Sequence, residues 1–204
     1  MKSFFNSFSS SSNVVSSPSS THDEDLRDAA KDVYRQSVLW HGTKHEHLRS
    51  LRESGFSKRL KKEGATTGGD MFMSFSDPAK SEARNQHYFA SDRRMAKDFA
   101  MFADMNNPAL VRTIGVKSNF NLETDPRTGE PAVCTTDSIP AKYVLGSKSS
   151  PAGANAKVFK KEMKRAGHDV STDRAGQLLK EVQSDSDDDD FPDPDLFIRN
   201  RLTG

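Results

Sequence analysis

The sequence predicts an α+β fold built as one domain with polar ends. Three observations carry that expectation. Segments at 24–36, 45–55 and 91–103 repeat apolar residues at helical spacing. Short runs rich in β formers, SVLW (37–40), MFMSF (71–75), HYFA (87–90), ALVRTIGV (109–116), EPAVCT (130–135) and KYVLG (142–146), are bounded by polar residues, Gly or Pro. Helices and strands interleave early and strands then follow one another, which suits mixed or antiparallel sheets.

Taken in order, EDLRDAAKDVYRQ (24–36) is a helix through Leu26, Ala29, Ala30 and Val33. SVLW is a strand expected to stop at His41. HEHLRSLRESG (45–55) returns to helical period through Leu48 and Leu51, with Gly55 as its C-cap. SKRLKKEGATTGGD (57–70) is a loop, with Gly64, Gly68 and Gly69. In SDRRMAKDFAMFA (91–103), Ser91 or Asp92 is the N-cap, and Met95, Ala96, Phe99 and Phe102 share one face. VFKKEMKRAG (158–167) and RAGQLLKEVQ (174–183) are two further helices.

The composition suits a soluble domain: 33% of the 204 residues are hydrophobic and 29% charged. Thirty basic residues against 29 acidic ones leave global charge neutral on nucleic-acid binding. Cys134 is the only cysteine, so the fold must hold without an internal disulfide. No apolar stretch reaches the roughly 18 residues of a membrane span.

The segment MKSFFNSFSSSSNVVSSPSS is serine-rich, lacks arginine and breaks its apolar residues too often for a signal-peptide core. Lys2 gives no expectation of N-myristoylation. Residues 1–23 are expected to be a disordered leader, and they resemble the serine-rich leaders of bacterial effectors exported by type III secretion. SDSDDDDFPDPD (184–195) repels itself, so 184–204 is expected to be an acidic, extended tail. The folded domain is then 24–183.

Several chemistries are disfavoured. His41, His45 and His47 invite a zinc reading, but His45 and His47 are two apart and point to different sides of a helix. Gly42 interrupts the better-spaced pair, His41 and His45. No metal is expected. Cys134 lies inside a β-rich apolar run and reads as packing. No GxSxG occurs, and GATTGG (64–69) lacks the Lys-Ser/Thr of a phosphate-cradling loop.

LWHGTK with a helix ending in Gly-Phe, then YFA leading into a helix, then a glutamate before a strand and IPAKYVL, resembles the ADP-ribosyltransferases of the diphtheria-toxin and poly(ADP-ribose) polymerase type. The resemblance spans roughly 38–146. It implies split β-sheets with flanking helices around an NAD+ cleft. It also implies a His-Tyr-Glu triad, which falls on His41, Tyr88 and Glu130. The family's second aromatic, eleven residues after the tyrosine, falls on Phe99.

By the same resemblance, Tyr88 and Phe99 would sandwich nicotinamide, as flat rings do. The Gly42 backbone would pair with its carboxamide, beside Thr43. His41 would hold a ribose hydroxyl. Glu130 would hold the 2′-hydroxyl of the reacting ribose and stabilise the oxocarbenium-like transition state. The implied activity is transfer of one ADP-ribose from NAD+ to a host macromolecule, by a monomer acting in the host cytoplasm. A protein target is expected, with nucleic acid left open.

The chain departs from the family in places. Phe99 replaces a tyrosine. Ala96 stands where polymerase-type enzymes carry a serine. Thr128 stands where arginine-modifying members carry an acidic or amide residue. Two alternatives remain: a degenerate, non-catalytic binding module, and a tRNA 2′-phosphotransferase, which shares an HGT-like opening.

Overall fold

The structure, a computed structural model, describes residues 18–57, 86–125, 132–146 and 153–185. The expected strand 71–75, the basic stretch 58–62 and Glu130 lie outside the described residues. The architecture is α+β. The elements in chain order are α1 (Pro18–Ser37), β1 (Val38–Lys44), α2 (His45–Ser54), β2 (His87–Ala90) and α3 (Arg93–Ala103). They continue with β3 (Pro108–Ile114), β4 (Glu123–Thr124), β5 (Ala132–Thr135), a 3-10 turn (Ala141–Tyr143), α4 (Ala154–Arg165) and α5 (Thr172–Ser184). The strands form one antiparallel sheet in the order β3-β1-β2-β5-β4.

β1 organises the molecule. Along its whole length it pairs with β3, from Val38↔Ile114 to Lys44↔Pro108. Its side chains alternate between two cores, as a pleated strand requires. On one side, Val38 and Ile114 pack with Val33 and Tyr34 of α1, Phe159 and Met163 of α4, and Leu178 of α5. On the other, Leu39 and Val111 pack with Leu51, Phe56, Phe89 and Ile139. Each fully buried large side chain stabilises by about 1.5–3 kcal/mol. A sheet face covered by amphipathic helices is how a domain of this size closes a core.

Three sequence expectations are corrected. β1 does not stop at His41: it runs on through Gly42 and Thr43 to Lys44, because the continuous β3 ladder outweighs the turn tendency of His-Gly-Thr. KYVLG (142–146) is not a strand. Pro140 leads into the 3-10 turn, where the Tyr143 N–H donates to the Pro140 carbonyl at 3.0 Å and the Val144 N–H to the Ala141 carbonyl at 2.9 Å. Val144 then makes an isolated bridge to Thr113. The expected leader also runs too long, since α1 begins at Pro18. A proline tolerates the first helical position because no N–H is required there. Within the added length, Asp23 pairs with Arg27 at 3.2 Å and with Arg174 of α5.

Elsewhere the local signals hold. The Asp92 side chain caps α3 by accepting from the Arg94 N–H at 2.9 Å. Gly55 caps α2 through its N–H to the Leu51 carbonyl at 2.9 Å. Cys134 is buried within β5. No helix among the described residues is long and apolar enough to cross a membrane.

Candidate functional site

Of the expected site residues, His41, Gly42, Thr43, Tyr88 and Phe99 lie where β1, β2 and α3 meet. His41 is central in β1, opposite Val111 of β3. Its Nδ1 lies 2.7 Å from the main-chain carbonyl oxygen of Tyr88. A carbonyl only accepts, so Nδ1 carries a proton in this contact, and in the neutral form of the ring Nε2 is then an acceptor. The ring is held from the side as well. Phe56 meets it edge-on, with centroids 4.9 Å apart and planes at 86°, and Phe89 lies tilted at 5.7 Å.

Phe56 is in turn fixed by the backbone. It bridges to Ile139 with two N–H···O bonds of 2.8 Å each. Gly55 makes that approach possible: its φ is +74°, and a Cβ there would lie 2.1 Å from the Ile139 carbonyl oxygen. The Gly-Phe that ends the α2 segment therefore buttresses His41. Phe56 also touches His87 and Phe89 edge-on, with centroids 5.5 Å and 5.1 Å away.

Gly42 faces the other side of the sheet. A Cβ on it would lie 2.2 Å from the Ala96 carbonyl oxygen and 2.5 Å from the Ala100 nitrogen. Bare backbone at 42, with Ala96 and Ala100 on the facing helix, lets α3 lie directly on β1. Half-buried Phe99 belongs to this contact, its carbonyl carbon 3.0 Å from the same point.

The peptide groups of Gly42 have a definite direction. The Gly115 N–H donates to the Ser37 carbonyl, and the His45 N–H to the Asn107 carbonyl. Odd-numbered residues of β1 therefore turn their backbone groups to β3, and even-numbered ones turn theirs to β2. The β1–β2 ladder holds the pair Trp40↔Ala90. The next such pair, Gly42 with Tyr88, is not formed. The Tyr88 carbonyl is instead engaged by the His41 imidazole.

Tyr88 pairs with Cys134 of β5, and its hydroxyl donates to Gln86 Oε1 at 2.6 Å. By alternation along β2, the Tyr88 ring leaves on the Gly42 and α3 side, and Phe89 on the His41 side. His41 and Tyr88 are thus joined through backbone while their rings diverge. Thr43 is buried on the His41 side and pairs with Ala109. Glu130, two residues before β5, lies outside the described residues.

Sequence reasoning gave Phe56 and Gln86 no role in the site. The signal for Phe56 was present in the Gly-Phe after α2. Nothing in the local sequence marks Gln86, which is defined only by where Tyr88 reaches. Trp40 is half-buried, with the guanidiniums of Arg93 and Arg112 at 5.4 Å and 5.8 Å from its ring. Each such contact is worth about 0.5–1 kcal/mol when exposed. Among the described residues no group of His, Cys, Asp or Glu side chains is arranged to hold a metal.

Comparison with protein-family models gives no match, and comparison with curated proteins gives none.

Proposed function

We propose that the chain is a mono-ADP-ribosyltransferase that uses NAD+ as donor. The observation that carries this reading is the end of the β1–β2 ladder before Gly42. A peptide N–H and C=O turned toward β2 but outside its ladder, with Tyr88 and the α3 residue Phe99 on the same side, suit a flat aromatic amide. Nicotinamide is such a group: its carboxamide needs one donor and one acceptor, and its ring needs aromatic faces. The fixed tautomer of His41 supports the second contact, since an Nε2 acceptor can take a ribose hydroxyl proton. A dinucleotide is long enough to meet groups on both sides of one strand.

In the proposed reaction the glycosidic bond between the ribose C1′ and the nicotinamide nitrogen breaks. The bonding pair leaves with nicotinamide, which becomes neutral. A nucleophile on the target bonds to C1′ and gives up its proton. Glu130 holds the 2′-hydroxyl and faces the positive charge that develops on the ring, a contribution of about 10²–10³ in rate for groups of this kind. NAD+ is consumed as a substrate. The serine-rich leader supports delivery as a bacterial effector, with a host protein as acceptor.

The test is incubation of the full chain with labelled NAD+, alone and with a eukaryotic lysate, followed by mass spectrometry of modified peptides. Nicotinamide release alone and a labelled target in the lysate are expected. NAD+ binding without release would make the chain a non-catalytic binding module. No binding would overturn the reading.

A further inference from the structure

The outward face of α4 carries five cations and no anion. Ala156, Val158, Phe159, Glu162 and Met163 of this helix are buried. At 3.6 residues per turn the opposite arc holds Lys157, Lys160, Lys161, Lys164 and Arg165. Arg165 is bound to Glu162 and reaches Asn119. The four lysines have no ion-pair partner among the described residues.

Such a face costs the fold stability. Lys157 and Lys161, Lys160 and Lys164, and Lys161 and Arg165 stand one turn apart, and each like pair disfavours the helix by roughly 0.2–0.5 kcal/mol. The helix dipole favours Lys164 and Arg165 in the last turn, but not Lys157 in the first. Glu162 offsets Arg165, but no ion pair among the described residues offsets the four lysines, so an anionic partner suits this face.

We propose that this face is the docking surface for the chain's own acidic run, Asp187–Asp190. Charge and reach both point to it. Four consecutive carboxylates match four lysines in number and opposite charge. α5 touches α4 at its near end: a Cβ on Gly176 would lie 3.3 Å from the Ala156 Cβ, beside Lys157. From Gly176 the helix runs about 12 Å to Ser184 at 1.5 Å per residue. The acidic run begins three residues beyond, and an extended chain covers about 3.3–3.6 Å per residue, so its later members, Asp189 and Asp190, have the length to come back level with Lys157. The acids at the end of α5 itself are already engaged with α1, Glu181 with Arg27 at 3.2 Å and Asp185 with Lys31 at 3.5 Å. Tethering supplies an effective concentration in the millimolar range, so weak pairing suffices. The docking is independent of the proposed NAD+ chemistry.

The test uses the full chain and two variants, one with Asp187, Asp188, Asp189 and Asp190 changed to Asn, the other with Lys157, Lys160, Lys161 and Lys164 changed to Gln. Thermal melts establish that both fold. At low salt, amide NMR shifts of 157–165 are expected to differ between wild type and the Asn variant. Salt at about 0.5 M, where the Debye length is only a few ångströms, should move wild type onto the variant. A short oligothymidylate should bind the Asn variant about tenfold more tightly than wild type, because the tail no longer competes, and should not bind the Gln variant. Superimposable α4 shifts at low salt would overturn the proposal. So would equal oligonucleotide affinity in wild type and Asn variant, which would assign the face to an external polyanion.

Discussion

His41 and Tyr88 are joined by an imidazole N–H that donates to a main-chain carbonyl across 2.7 Å. This bond sets the tautomer, and Phe56 sets the tilt. Nitrogen NMR of the imidazole is expected to show the Nδ1–H form as the dominant neutral species. Phe56→Leu keeps the site apolar but removes the edge contact at 4.9 Å. It should cost about 1–2 kcal/mol of stability as a large-to-small core change. It should also shift the tautomer populations and, if the proposed NAD+ chemistry holds, raise the NAD+ KM with little change in kcat. An unchanged imidazole spectrum would mean that the carbonyl alone orients the ring.

Gly42→Ala is expected to be more harmful than a single methyl group implies. The clash is with backbone, the Ala96 carbonyl at 2.2 Å and the Ala100 nitrogen at 2.5 Å, so no rotamer change relieves it. α3 must lift away from β1, at a cost of about 1–3 kcal/mol typical of overpacking. Urea unfolding measures that cost. If the Gly42 backbone takes nicotinamide, the same variant should lose NAD+ binding under conditions where it remains folded. Retained binding would move the nicotinamide elsewhere.

Glu162 is a third point of leverage, remote from the site. Its carboxylate is buried in α4. It accepts from Ser118 Oγ at 2.7 Å, from Asn119 Nδ2 at 3.4 Å and from Arg165 Nη1. It ties α4 to the turn that follows β3. Glu162→Ala leaves those donors without their acceptor and should destabilise by about 1–3 kcal/mol. Glu162→Gln keeps one carbonyl acceptor and should cost less. Thermal unfolding of both variants checks the order, and equal losses would show that the negative charge, rather than the shape, is what α4 requires.

Much of the α+β arrangement was legible because its signals are local. Asp92 caps α3, and Gly55 ends α2, each through one side chain or one φ value. β1 was misread at its end because pairing with β3 is set by residues far along the chain, and His-Gly-Thr alone resembles a turn. The strand expected at 142–146 failed for the opposite reason. Its residues favour a strand, but Pro140 just before them directs the chain into a turn. At the candidate site, His41, Tyr88 and Gly42 could be named from their order. The bond from an imidazole to a backbone carbonyl and the end of the ladder before Gly42 could not, since both depend on the register of β1 against β2.

Glu130 carries the chemical half of the proposal. The sequence sets it between Gly129 and Pro131, just before β5, whose first residue Ala132 pairs with Ala90 of β2. Two views of it make different forecasts. If its carboxylate faces the developing oxocarbenium, Glu130→Gln keeps size and hydrogen-bonding reach while removing the charge. NAD+ affinity should then change little, and turnover should fall by about two to three orders of magnitude. If Glu130 is instead a solvated turn residue, the substitution should cost less than about 0.5 kcal/mol of stability and leave turnover intact. Calorimetry of NAD+ binding and the rate of nicotinamide release, measured on the same folded variant, separate the two. Unchanged binding with lost turnover places the charge in the transition state. Near-wild-type turnover would remove Glu130 from the reaction and require another group to face the developing charge beside Gly42, Tyr88 and His41.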